Sequence, residues 1–103
     1  MILELATLSV RPGQEAEFEA AFPAALPLLA ATPGYQRAEL RRCIEMPNRY
    51  VLLVVWDVLE AHTIGFRQGP NYPEWRRRLH HFYDPFPMVE HYAEPLASHG
   101  EPQ

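Results

Sequence analysis

A chain of 103 residues is long enough for one domain with its own core and too short for two. Its 48% hydrophobic and 21% charged residues match ordinary globular composition, and no apolar run approaches the ~18 residues that span a bilayer, so no membrane partner is expected. The net charge of -4, with nine cations that are all arginine, argues against a nucleic-acid partner.

The single cysteine, Cys43, excludes an internal disulfide and a multi-cysteine metal centre, and fits a reducing cytoplasm. The absence of lysine removes the side-chain amine that Schiff-base catalysis requires. The opening Met1-Ile2-Leu3-Glu4-Leu5 carries an acid where a signal peptide would carry basic residues, so export is not expected.

Residues Ile2 to Val10 are rich in aliphatics and stop at Arg11-Pro12-Gly13, which predicts a first strand ending in a turn. From Gln14 to about Ala31, Phe18, Phe22, Ala25 or Leu26, and Leu29 recur at helical spacing. Pro23 and Pro27 lie inside this helix, where each removes a backbone donor, so a kink or a break into two pieces is expected. Thr32-Pro33-Gly34 ends it. A second strand is predicted from Tyr35 to Glu45, with Tyr35, Arg37, Glu39, Arg41 and Cys43 on one face.

Met46-Pro47-Asn48-Arg49 supplies turn residues, and the β-branched and aromatic run Tyr50 to Trp56 predicts a third strand covered on both sides. Asp57 to Phe66 reads as helical, Gly69-Pro70-Asn71 interrupts, and Tyr72 to Phe82 resumes with Trp75, Leu79 and Phe82 on one buried stripe. Within that stretch Arg76, Arg77 and Arg78 point about 100° apart from one another and so fan out into solvent. A short strand from Met88 to Glu94 closes a domain of residues 1–96, and a flexible tail, 97–103, follows.

The order β-α-β-β-α-β predicts an α+β, ferredoxin-like fold: a four-stranded antiparallel sheet with both helices on one face. Strand one turns Ile2, Glu4, Ala6, Leu8 and Val10 toward the helices and Leu3, Leu5, Thr7 and Ser9 away from them. The second face is apolar enough to need a cover, and a second copy of the chain is the simplest one.

The chain resembles the antibiotic biosynthesis monooxygenase domain family. The resemblance rests on the Met1-Ile2 strand with its Val10-Arg11-Pro12-Gly13 end, on Glu15-Ala16-Glu17-Phe18, and on Pro33-Gly34-Tyr35. It continues through Trp56, Glu60-Ala61-His62, Phe66-Arg67, Pro70, Tyr72 and Trp75, and covers about residues 1–96. It implies a homodimer whose sheets close into a dimeric α/β barrel, with a pocket between sheet and helices in each subunit. Family activities include oxidation of polycyclic phenols or quinols without metal or flavin, and haem degradation. The haem-degrading branch carries an asparagine, a tryptophan and a histidine where this chain has Ala6, Phe66 and about Arg76, which disfavours that activity. In the quinol-oxidising branch a polar residue, an aromatic one turn later and a tyrosine line the pocket, and His62, Phe66 and Tyr72 stand at similar positions.

Oxygenation without a cofactor requires a small aromatic substrate that is deprotonated in the site, since the anion is what gives an electron to O2. The protein then supplies a base, dry walls and donors for the developing charge. His62 is the candidate base, its ordinary pKa being about 6.5. Tyr72 and Arg76 are candidate anchors for phenolate oxygens, with Phe66, Trp75 and Trp56 as flat walls and Ala6 on the sheet floor.

Each of these has an ordinary alternative: a surface histidine at a helix start, core aromatics, and a solvated Arg76 paired with Glu74 or Asp84. Glu4 is either exposed at a sheet edge or a pocket base with a raised pKa. His80, His81 and His91 lack metal-ligand spacing and read as surface residues, so neither a metal nor a cofactor is expected. The leading function is a monooxygenase acting on a hydroxylated aromatic or quinol. The competing one is a non-catalytic, stress-related dimer that sequesters a small apolar molecule.

Overall fold

The structure, a computed structural model, describes residues 1–101; the last two residues of the expected tail, Pro102 and Gln103, lie outside the described residues. Four strands, β1 (Ile2–Ser9), β2 (Tyr35–Arg42), β3 (Arg49–Trp56) and β4 (Met88–Tyr92), form one antiparallel sheet in the order β2-β3-β1-β4. Helices α1 (Glu15–Ala30) and α2 (Tyr72–Leu79) cross from β1 to β2 and from β3 to β4. This is the ferredoxin-like α+β topology that the element order predicts.

The central pair follows from sequence. β1 and β3 are the two most aliphatic runs, and they pair along their whole length, from Ile2 opposite Trp56 to Ser9 opposite Arg49. Paired residues share a face, so Glu4, Ala6 and Leu8 stand beside Val54, Leu52 and Tyr50 on the side that the helices cover. α1 lays Phe18, Phe22, Ala25 and Leu29 on this side, as the helical spacing predicts, and α2 adds Trp75 and Leu79.

Several local expectations are corrected. Helix α1 runs unbroken through Pro23 and Pro27. Both prolines lie on its exposed side, four residues apart, so water is available to the carbonyls that lose a partner. A bulge at Gln36 shifts the register of β2, so Tyr35 lies opposite Trp56 while Arg37 lies opposite Val55. Tyr35 therefore joins the helix-facing side with Ala38 and Leu40, packed edge-on against Trp56 at 6.0 Å, and is not on the face of Arg37, Glu39 and Arg41.

The helical stretch expected from Asp57 is a single π-helical segment at Ala61–Phe66, with Arg67 N–H donating to the carbonyl of His62, five residues back, at 3.0 Å. Its start is held close to β2 at Gly34, whose φ of +93° and lack of a side chain are both required. A Cβ there would stand 2.7 Å from that of Ala61. The second helical stretch tightens after Leu79 into a 3-10 turn at His80–Phe82.

Candidate functional site

The site is built where the π-helical segment drops onto the sheet between β1 and β4. The β1–β4 register puts Glu4 directly opposite His91, so both side chains rise from the helix-facing side of neighbouring strands. His62 comes down from the π turn onto this pair: its Nε2 lies 3.4 Å from Glu4 Oε1, and its Nδ1 lies 2.8 Å from His91 Nε2. Trp56 completes the cluster from β3, its indole Nε1–H donating to the same Glu4 oxygen at 3.0 Å. The His62 ring stacks over Trp56 at 5.3 Å and 20° between planes, and over Phe66 at 6.3 Å and 22°.

Burial sets the electrostatics. Glu4 is 5% exposed and His62 4%. Loss of water raises the Glu4 pKa above the ordinary carboxylate value, with the Trp56 hydrogen bond and the Arg67 guanidinium opposing that rise. His62 is pushed down to about 3, first by desolvation and then by the positive Arg67 and the neighbouring His91. His91 is lowered for the same reasons, desolvation first and Arg67 second. The cluster therefore favours neutral imidazoles beside a carboxyl whose pKa is raised by burial.

Above it opens a cavity of about 210 Å³, floored by Glu4, Ala6 and Leu8 of β1 and walled by His62, Phe66, Tyr72 and Trp75. Phe66 meets Tyr72 and Trp75 edge-on, each at 5.5 Å between centroids, so the wall is a chain of interlocked rings. At the far end stand His80, Tyr83 and the exposed Phe86. His80 keeps a buried Nδ1 without a partner, and burial raises the pKa of the Tyr83 phenol.

Of the residues singled out from sequence, Glu4, Ala6, His62, Phe66, Tyr72 and Trp75 converge on this one cavity. Trp56 stands behind it, fully buried, where it holds Glu4 instead of forming a wall. Arg76 is exposed on the outer side of α2, beside Pro73 and Arg77, and does not line the cavity. The Glu74 carboxylate meets Arg77 and Arg78, and Asp84 meets Arg11 at 3.4 Å.

The guanidinium that lines the cavity is Arg67. His80, which also lines the cavity, and His91, which meets His62, are half-buried and not the surface residues expected of them. His91 alternates with Val89 against Met88, Glu90 and Tyr92, a pattern compatible with an inward histidine, but five residues of mixed polarity do not decide which side faces in. Among the described residues no three ligating side chains gather as a metal site. In the Glu4–His62–His91 cluster the imidazole turns opposite nitrogens to its two neighbours, so the three do not converge on one point.

Fold and site together define a small α+β protein of the ferredoxin-like type, with a ring-lined cavity over a buried acid–imidazole cluster. The chain belongs to the antibiotic biosynthesis monooxygenase family, whose model matches residues 1–78. It is 46% identical over 94 residues to the Bacillus subtilis (strain 168) protein YczJ, itself uncharacterized, covering 91% of this chain and 99% of YczJ. A Bordetella bronchiseptica structure named for the same monooxygenase family is 38% identical, with a TM-score of 0.88 over 92% of this chain and 97% of that one. The fold is shared also with a variant of SnoaB, a cofactor-independent oxygenase from Streptomyces nogalater. That protein is 22% identical, with a TM-score of 0.79 over 93% of this chain and 94% of its own. No helix among the described residues is long and apolar enough to cross a membrane.

Proposed function

We propose that this protein is a cofactor-independent monooxygenase that oxidises a hydroxylated aromatic or quinol-type molecule of one or two rings with O2. The observation that carries the reading is a buried carboxyl, Glu4, beside a neutral imidazole on the floor of a cavity whose walls are aromatic rings. Such a floor takes a proton from a bound phenol or an activated ring C–H, and the dry walls keep the resulting anion from water until O2 arrives. One oxygen atom replaces a ring hydrogen and the other leaves as water; conversion of the ring C–H to C–OH and of the quinol to its quinone supplies two electrons each, so no external reductant is required.

Roles divide by position. Both contacts of Glu4 go to Oε1, which leaves Oε2 for the substrate and makes Glu4 the base. The Tyr72 hydroxyl and the Arg67 guanidinium are the anchors for oxyanions, and Phe66 and Trp75 hold the ring plane. Substrate size follows from volume: an apolar cavity of about 150 Å³ takes up benzene, and drug-sized ligands occupy about 300 Å³ or more. At about 210 Å³ this cavity fits a naphthalene-sized ring system and not a macrocycle.

We infer further that the working form is a homodimer closed through the open side of the sheet. There Leu3 and Leu5 of β1 and Val51, Leu53 and Val55 of β3 form a half-buried apolar stripe in the single chain. An isologous pairing of two such stripes buries both.

An oxygen electrode tests the function with dihydroxynaphthalenes and single-ring quinols as substrates. Oxygen uptake by the wild type, lost in Glu4→Ala and in His62→Ala, is expected. Tight binding of these compounds without oxygen uptake would instead establish a sequestering protein.

A further inference from the structure

The cluster on the cavity floor contains more than a base. Glu4 is buried on a central strand, His62 is buried above it, and His91 is half-buried on β4, which is the edge of the sheet. The three side chains follow one another outward: carboxyl oxygen to Nε2 at 3.4 Å, then across the His62 ring from Nδ1 to His91 Nε2 at 2.8 Å. The longer step is within the range that catalytic hydrogen bonds close when a ligand binds. The geometry points to a proton relay in which Glu4, His62 and His91 form one file from the cavity to solvent, its outer link a hydrogen bond and its inner link a 3.4 Å contact that closes to one as the proton moves. His91 is its outlet and a positioning residue for the Glu4 base.

Because His62 has a different neighbour at each nitrogen, the file has two polarities that exclude each other. With Glu4 protonated, its O–H donates to His62 Nε2, His62 Nδ1–H donates to His91 Nε2, and His91 carries its proton on Nδ1. With Glu4 ionised, His62 Nε2–H donates to the carboxylate and His91 Nε2–H donates to His62 Nδ1.

Passage from the first state to the second moves the carboxyl proton onto His62 Nε2, the His62 Nδ1 proton onto His91 Nε2, and the His91 Nδ1 proton into water. Three N–H or O–H bonds break and three form, counting the new bond to water, and His62 is never charged. That last feature matters, because an imidazolium at His62 is strongly disfavoured by burial and by the facing Arg67. A buried imidazole that cannot hold a second proton still conducts one, by exchanging tautomers.

The groups that bias this file come from every element packed against it. Trp56 of β3 holds the carboxyl, Arg67 follows the π turn, and Tyr72 and His80 line the cavity that Glu4 shares. The relay explains how a buried carboxyl is made ready as a base: passage from the first state to the second ionises Glu4 and delivers its proton through His62 and His91 to water before the substrate is deprotonated.

The relay deepens the oxygenase reading but rests on it only for the kinetic arm of the test. Histidine-labelled ¹⁵N NMR of the intact protein reads each ring nitrogen directly. As pH is raised through the ionisation of Glu4, His62 is expected to stay neutral and to exchange its Nδ1–H form for its Nε2–H form in one titration. In Glu4→Gln that exchange disappears. A single His62 tautomer throughout, an imidazolium at His62 in this range, or an exchange that survives Glu4→Gln would overturn the relay.

In oxygen uptake, His91→Phe is expected to lower kcat about 10-fold with little change in KM, and added imidazole to restore it. A wild-type kcat in His91→Phe would also overturn the relay. Tautomer exchange in a wild type that consumes no oxygen would leave the relay standing and sink the oxygenase reading.

Discussion

Strand β1 has two sides, and each carries residues that an ordinary amphipathic strand would place on the other. Its helix-facing side buries a carboxyl, Glu4, at 5% exposure, while Leu3 and Leu5 on the other side are half-buried in the single chain. A charge-bearing group inside and leucines outside both cost free energy, and each cost identifies a task. Inside, the cost is met by the Trp56 indole, by His62 and by letting the carboxyl keep its proton. Outside, nothing within the chain covers the stripe, which is how an association surface differs from a site.

The comparison is broken most sharply at Glu4. Glu4→Leu, of similar volume, keeps the packing but removes the base, and oxygen uptake should fall by about 10²- to 10⁴-fold while the thermal midpoint holds or rises. A loss of fold instead would make Glu4 structural. On the other side, Leu53→Asp places like charges face to face in a symmetric pair, and sedimentation should report dimer association weakened by about 10²- to 10³-fold with the circular dichroism unchanged. A wild type that sediments as a monomer would remove the association surface from the comparison.

His62 sharpens the inner side through pH. The unfolded chain protonates it near its ordinary 6.5, whereas the folded protein leaves it neutral down to about 3. The unfolded state therefore binds more protons between those values, and stability falls as pH drops through this window. Glu4 acts oppositely, since its raised pKa makes its contribution decline as pH rises above 4.5. Denaturant titrations of wild type and His62→Phe should thus diverge by about 2 kcal/mol between pH 7.5 and pH 5, with wild type losing more on acidification. Parallel curves would mean that His62 is solvated. The smallest effect concerns the rim: Arg67→Leu should raise KM about 10-fold, several times more than Arg76→Leu, because only Arg67 lines the cavity.

Periodicity carries element type well, because a helix or strand must repeat its apolar residues at its own spacing to bury a face. Phe18, Phe22 and Leu29, and the β1 alternation that turns Glu4, Ala6 and Leu8 inward, were legible for that reason. Pro23 and Pro27 misled, since a proline breaks a helix only where the freed carbonyl finds no other donor, and the exposure of that side of α1 to water is invisible in the string. Tyr35 misled because one bulged residue reverses the face of everything before it.

Sequence by itself determined the α+β order and the inward side of β1, since local spacing specifies both, while the family resemblance is what pointed to His62, Phe66 and Tyr72 as cavity residues. Only the tertiary structure decided which charged groups share a desolvated space: Arg67 over Arg76, and His91 beside Glu4 through a register set 87 residues along the chain. The reason is physical. A pKa or a proton path depends on distance and on water, and both are properties of how elements meet, not of the elements themselves.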